Sequence, residues 1–214
     1  MSKSSEALEK GDLEKSFLRK NLLIAGVDEV GRGCLAGPVY SAAVILDYDH
    51  LFSLDSSTLA LIRDSKKLSE KQREKIIPVI GEIALAHAIS SSSVQEIDNL
   101  NILGATFLAM NRALASLSRR PDITLVDGNK EIKGYKGKQE TLIKGDSLAF
   151  CIAAASILAK DARDKYMQNI SEKFPNYGFE SHVGYGTKKH LEALKEHGVL
   201  NIHRKTFAPV ASLL

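Results

Sequence analysis

The apolar run Leu22–Val27 ends on the segment DEVGRG, Asp28 to Gly33. A run this short and this apolar reads as a buried core strand. Two adjacent carboxylates stand where that strand runs out, followed by an arginine between glycines. Successive side chains of a strand point to opposite faces. Asp28 and Glu29 can therefore serve one site only if the strand ends or twists there, and the glycines just beyond permit that.

The rest of the chain alternates short strands with helices. Val39–Leu46 is a second apolar strand, separated from the first by a turn that Gly31, Gly33, Gly37 and Pro38 punctuate. Ser69 and Gln72 form a capping-box pair that opens a helix, which Pro78 is expected to kink or end. Ile83–Ser93 reads as a third strand. Asp98 is placed to cap a helix reaching about Leu117, with Leu103, Phe107, Met110 and Leu114 on one face. Ile123–Val126 is a strand running into Asp127-Gly128, and Glu140–Ile143 another. Ser147–Lys173 has the length and alanine content of a central helix. Thr187–His197 forms a last helix closed by Gly198. Residues 1–20 read as a frayed or loosely helical arm, and the remainder, 21–214, as one domain. This alternation predicts an α/β layer structure with a mixed sheet.

Length and composition set outer limits. A chain of 214 residues with 44% hydrophobic and 26% charged residues is an ordinary soluble domain. The formal charge of +3 means that any polyanion must bind a local patch. Basic residues do cluster late, at Lys130–Lys144 and again at Lys188, Lys189 and His203–Lys205, although a solvated lysine-rich surface would look the same. Cys34 and Cys151 fit no metal or redox spacing, which points to reduced thiols in a cytoplasmic compartment. The longest apolar stretch, Leu148–Ala159, is well short of the roughly 20 residues that cross a bilayer. No exposed apolar stripe is evident, so a monomer is expected.

Each acid taken alone has a structural explanation. Asp28 and Glu29 can be a strand end passing into a charged turn, Asp-Gly at 127–128 is a common turn pair, and Asp146 can be a helix N-cap. What distinguishes them is shared placement, because the ends of strands and the mouths of helices are where α/β folds put their chemistry. If the four converge, they cannot do so bare. Two carboxylates about 4 Å apart repel by ~4 kcal/mol at an effective dielectric of about 20. Oxygen-only ligands favour hard cations such as Mg2+ or Mn2+, and paired cations of this kind are a device for hydrolysing phosphodiesters.

The motifs carry a resemblance. GVDEVGRGCLAGPV at 26–39, DSKKLS at 64–69, VDG at 126–128, KGDSLAFCIAAASILAKDARD at 144–164, GYGT at 184–187 and HRKTFAP at 203–209 together resemble bacterial ribonuclease H type II, in motif order, over about residues 22–209. The resemblance implies a ribonuclease H-like mixed five-stranded sheet flanked by helices, with a helical C-terminal extension from about residue 175. It implies hydrolysis of the RNA strand of RNA–DNA hybrids and incision 5′ of single ribonucleotides in duplex DNA, leaving a 3′-hydroxyl and a 5′-phosphate. Asp28, Glu29, Asp127 and Asp146 become the catalytic, metal-binding cluster, with Asp28 bridging two Mn2+ or Mg2+ ions. Gly31, Arg32, Gly33 and Tyr185 become the sensors of the ribonucleotide junction. Ser65, Lys66 and Lys67 become phosphate contacts, and His203, Arg204 and Lys205 are expected along the duplex backbone.

Two rivals remain. Ribonuclease H type III resembles the acid pattern, but usually carries lysine where this chain has Arg32. A catalytically inactive nucleic-acid-binding module of the same fold would gain nothing from four carboxylates aimed at a polyanion.

Overall fold

The computed structural model describes residues 9–63 and 65–214; residues 1–8 of the expected arm lie outside the described residues. The chain opens with helix α1 (Asp12–Leu18), then strands β1 (Ile24–Val30) and β2 (Val39–Leu46). Two short helices follow, α2 (Tyr48–Ser53) and α3 (Ser56–Leu59), then α4 (Glu70–Ile83), β3 (Ala84–Ser92) and α5 (Val94–Ala115). Strands β4 (Ile123–Asp127) and β5 (Gln139–Leu142) lead to α6 (Gly145–Leu148) and the long α7 (Phe150–Lys173). The chain closes with α8 (Phe179–His182), α9 (Lys188–His197) and α10 (Ala208–Ala211). Among the described residues no helix is long and apolar enough to cross a membrane.

The five strands form one mixed sheet in the order β3-β2-β1-β4-β5. β1 pairs antiparallel with β2 and parallel with β4, and β5 extends the parallel half. The central strand divides its side chains between two layers. Ala25 and Val27 pack with Met110, Ala113 and Leu114 of α5, whereas Ile24 packs with Ile152, Ala153 and neighbouring residues of α7. Residues 150–159 are all buried, so the first half of α7 is a core helix rather than an amphipathic one. The expected α/β mixed sheet is what the chain forms.

Several element boundaries differ from expectation, each for a local reason. β1 runs past Val27 to Val30, because β2 continues to pair with it at Asp28, Glu29 and Val30. α4 passes through Pro78 instead of ending there. Pro78 and Glu74 are both exposed, so water can take the Glu74 carbonyl that loses its helical donor. α5 starts earlier than expected, under a capping box of Ser93 and Glu96, and kinks at Asn101 (φ 58°), whose side chain accepts from Leu103 N–H and Gly104 N–H. Asp98 is not a cap. It receives the backbone N–H groups of Lys205 and Thr206 at 3.1 and 3.0 Å, tying down the C-terminal segment. The expected helix Ser147–Lys173 is broken at Ala149, where the backbone is extended (φ −126°, ψ 134°).

The C-terminal helices build a second small core on α7 and the loop after β1, with Phe179 stacked on Tyr177. Three buried histidines hold it. His182 Nε2 meets the Tyr177 carbonyl at 2.9 Å while Gly184 N–H donates to its Nδ1. His190 Nδ1 meets the Tyr185 carbonyl at 2.9 Å, and its Nε2 lies 3.1 Å from Nε2 of His203. Leu200 N–H donates to His203 Nδ1. One set of neutral tautomers satisfies every one of these bonds: His182 and His203 carry the proton on Nε2, and His190 carries it on Nδ1.

Burial holds all three imidazoles below their ordinary pKa, His203 from 6.5 down to about 4. A depressed histidine means that the unfolded chain binds protons first, so stability is present above 6.5 and is lost as pH falls toward about 4. Urea unfolding across that window should show the midpoint dropping with acidification. In His203→Asn the drop should be smaller, on a baseline lowered by about 1–3 kcal/mol from the unpaired partners.

Candidate active site

The parallel ladder between β1 and β4 ends at Val27 opposite Val126. Asp28 and Asp127 are the next residues on each strand, so two carboxylates come side by side at the carboxyl ends of neighbouring parallel strands. Beyond them β1 continues without β4 beside it. Asp28 lies on the α7 face with Ile24, and Glu29 on the α5 face with Ala25 and Val27, as alternation requires. Both still reach one cavity of about 350 Å3, because it opens where β4 stops. Asp127 and Asp146 line the same cavity, so all four acids singled out from the sequence are brought together. Glu29 also faces a smaller cavity of about 100 Å3 on the α5 side, shared with Arg32 and Met110.

Asp146 does not cap a helix. It sits in the first turn of α6, after Lys144 in a left-handed conformation (φ 59°). Asp127 Oδ1 accepts the N–H of Gly145 at 2.7 Å, linking the end of β4 to the turn that carries Asp146. A side chain at Gly145 would meet Ile152 Cδ1 at 2.6 Å and Leu142 Cβ at 3.1 Å, so a larger residue there would have to displace the Ile152 side chain.

The electrostatics of the cavity are adverse to bare acids. Asp28 is buried, and burial pushes its carboxyl well above the usual range; the charges of Glu29 and Asp127 push further. Hydrogen bonds from Ser156 and from Glu29 N–H (2.7 Å) offset only part of this. Glu29 is raised by burial too, against the pull of Arg32 at 3.2 Å. Cationic side chains do line the cavity, but Arg73 and Lys160 both bind Asp164, at 3.3 and 2.7 Å. Among the described residues no three acidic, histidine or cysteine side chains form a preformed metal cage. The donor set is nonetheless all carboxylate and hydroxyl oxygen around a partly buried, repelling core, which suits hard divalent cations.

The substrate-contact candidates separate into two groups. Tyr185 lines the cavity and is 38% exposed, with its backbone bridged to Cys34. Ser65 and Lys66 line it as well, Ser65 buried against Ser156 at 2.9 Å, while Lys67 is exposed outside it. Arg32 is exposed, and Gly33 has nothing within 4 Å of where a side chain would stand. Gly31 has φ 91° and lies against Arg163, whose Nε would be 2.2 Å from an added Cβ.

His203 and Arg204 correct the expectation. Both are fully buried and cannot lie along a duplex. The Arg204 guanidinium donates to the carbonyls of Gly31 (2.6 Å), Arg32 (2.8 Å) and Gly37 (2.9 and 3.0 Å). Four backbone acceptor contacts occupy four of its five N–H donors, and burial lowers its pKa to about 10. It shapes the Gly31–Gly33 loop from beneath. Arg163 does the same for the next turn, donating to Ala36 and Pro38 carbonyls. Sequence reading missed Arg73, Ser156, Lys160 and Arg163. The signal was available on α7, where Ser156, Lys160 and Asp164 recur every fourth residue of a helix otherwise apolar at its start.

A raised carboxylate pKa means that the fold carries Asp28 at least cost when it is protonated, and loses stability as pH rises through that pKa. In chelator at neutral pH, Asp28→Asn should therefore melt above the parent protein. The gap should close on acidification, and thermal melts at two pH values test it.

Comparison with known proteins agrees with this geometry. The family model described as Ribonuclease HII matches residues 25–210. The chain is 49% identical over 202 residues to a ribonuclease HII of Endomicrobium trichonymphae, covering 94% of this chain and 93% of that one. It is 50% identical over 194 residues to a ribonuclease HII of Neisseria gonorrhoeae, covering 91% and 96%. Among solved structures it resembles the ribonuclease H2 of Pyrococcus horikoshii, with a TM-score of 0.74, 25% identity, and coverage of 89% of this chain and 96% of that one. The mixed sheet, the cavity at its strand ends and these matches agree: the chain belongs to the ribonuclease HII family of nucleases.

Proposed function

We propose that this nuclease hydrolyses the RNA strand of RNA–DNA hybrids and incises duplex DNA 5′ of a single ribonucleotide, using two divalent cations held by Asp28, Glu29, Asp127 and Asp146. The observation that carries the reading is the meeting of four carboxylates, from two parallel strand ends and one helix turn, in a single cavity. Bound there, Mg2+ or Mn2+ would neutralise charge on the phosphodiester and lower the pKa of an attacking water. Family membership supports the same chemistry.

The chain's own groups supply binding and selection. Asp28, held on a central strand and hydrogen-bonded by Ser156, gives a fixed oxygen ligand beside Glu29 and Asp127. Arg32 is exposed next to the acids and suits a backbone phosphate. Gly33, with open space where a side chain would be, lets a sugar approach the main chain closely enough for backbone groups to read a 2′-hydroxyl. The ring of Tyr185 forms a wall of the cavity and suits stacking on the neighbouring deoxyribose. Ser65 and Lys66, which line the cavity, and the exposed Lys67 serve phosphates, so binding should weaken as salt rises.

Duplex DNA with one embedded ribonucleotide, incubated with Mg2+ or Mn2+, should be cut just 5′ of that residue, leaving a 3′-hydroxyl. Chelator should abolish the cut, and so should Asp28→Asn or Asp146→Asn, with binding by gel shift largely retained. Cutting only within runs of several ribonucleotides would remove the junction-reading role of Arg32 and Tyr185, and tight binding without cleavage in either metal would overturn the catalytic reading. Tyr185→Ala should lower cleavage at a single ribonucleotide by about 10-fold, equivalent to about 1.4 kcal/mol, with a smaller effect on a long hybrid. Equal losses on both substrates would place the tyrosine in general binding.

A further inference from the structure

The N-terminal helix grips the turn that carries Asp146. The break at Ala149 leaves α7 without a capping side chain of its own. Its first N–H groups, Phe150 and Cys151, donate instead to Glu14 of α1, at 2.9 Å to Oε2 and 3.0 Å to Oε1. The Tyr48 hydroxyl donates to the same carboxylate at 2.5 Å. Glu14 is fully buried. A buried carboxylate is tolerated only when hydrogen-bonded donors surround it, and here three donors and the positive end of a 24-residue helix do so.

Two further bonds bind the same segment. Gly11 N–H donates to the Leu148 carbonyl at 2.8 Å, and Lys10 Nζ to the Asp146 carbonyl at 2.9 Å. Gly11 has φ 89°, and a side chain there would stand 3.0 Å from the Phe150 ring, so the arm lies close against the break. α6 is thus held from the inside by Asp127 through Gly145 N–H and from the outside by residues 10–14. The other carboxylates sit on the sheet. Asp146 alone sits on a four-residue helix, and its placement depends on what clamps that helix at each end.

We propose that Glu14 is a positioning residue for Asp146: by capping α7 across the break, it sets where the fourth carboxylate stands and so how tightly the site holds divalent cations. This rests on the reading of Asp146 as a cation-holding residue. A mere helix cap would change stability without changing the cation affinity of the folded protein, and that difference separates the two roles.

The test is Mn2+ binding by the full chain, followed through the spin-resonance signal of free Mn2+, beside thermal melts with and without the ion. Glu14→Gln keeps the side chain's shape but turns an amide donor toward groups that already donate. It should weaken Mn2+ binding by about 10-fold, as loss of groups supporting metal ligands does. It should raise the Mn2+ concentration needed for half-maximal cleavage while leaving KM for the nucleic acid near the parent value. Glu14→Asp, which keeps the charge on a shorter stem, should recover part of the affinity. Lys15→Ala, exposed on the same helix and paired locally with Asp12, should bind as the parent does. If Glu14→Gln melts lower yet binds Mn2+ like the parent, the positioning role is overturned and a plain cap remains. If Glu14→Gln does not fold, Tyr48→Phe decides: weaker Mn2+ binding supports the proposal and unchanged binding overturns it. Parent-like Mn2+ binding by Asp146→Asn would overturn the cation-holding reading itself, and is distinguishable because the fault would then appear in Asp146 directly.

Discussion

The backbone of α7 touches β1 at Gly26, and much of the molecule follows from that contact. A Cβ there would lie 2.2 Å from the carbonyl carbon of Cys151 and 2.3 Å from the nitrogen of Ile152, so no other residue fits without moving the helix off the sheet. Because α7 is seated this deeply, its apolar first half fills the core. Asp28, two residues beyond Gly26 on the same strand face, then meets Ser156, a turn further along the helix. The same seating brings the start of α7 to the end of β4, where Gly145 N–H finds Asp127. One missing methyl group thereby sets the depth at which strand, helix and carboxylates meet.

A second organising layer consists of buried cations serving carbonyls. Arg163 and Arg204 are both fully buried, and neither makes its principal bonds to an acid. They converge on the carbonyl groups of residues 31–38, a stretch of turns with too little regular structure to satisfy its own backbone. The neutral histidines do the corresponding work for the Tyr185 loop. The shape of these loops is thus determined from behind, by buried side chains.

How much of this was legible depended on whether the cause was local. β1, β2 and β4 were visible because each is a short apolar run between turn residues, and the Ser69–Gln72 and Thr187–Gly198 helix ends were visible because capping is written in neighbouring residues. The four acids stood out by their position at element ends. Distant partners left no local trace. Asp98 looks like a cap until Lys205 and Thr206, more than 100 positions later, are seen to donate to it. Arg204 looks like a surface cation beside Lys205 until the carbonyls of Gly31 and Gly37 arrive beneath it. Glu14 carried no signal, because its donors, Phe150 and Cys151 N–H, belong to a helix break that Ala149 does not announce.

The bond from Arg204 to Gly31 spans 173 positions of the chain. During synthesis all four carboxylates leave the ribosome well before Arg204 does. The carbonyls of Gly31, Arg32 and Gly37 cannot take these bonds until Arg204 has been made, although Cys34 N–H already donates to Gly31. The loop beside the earliest acids thus draws its support from a side chain synthesised after all four of them.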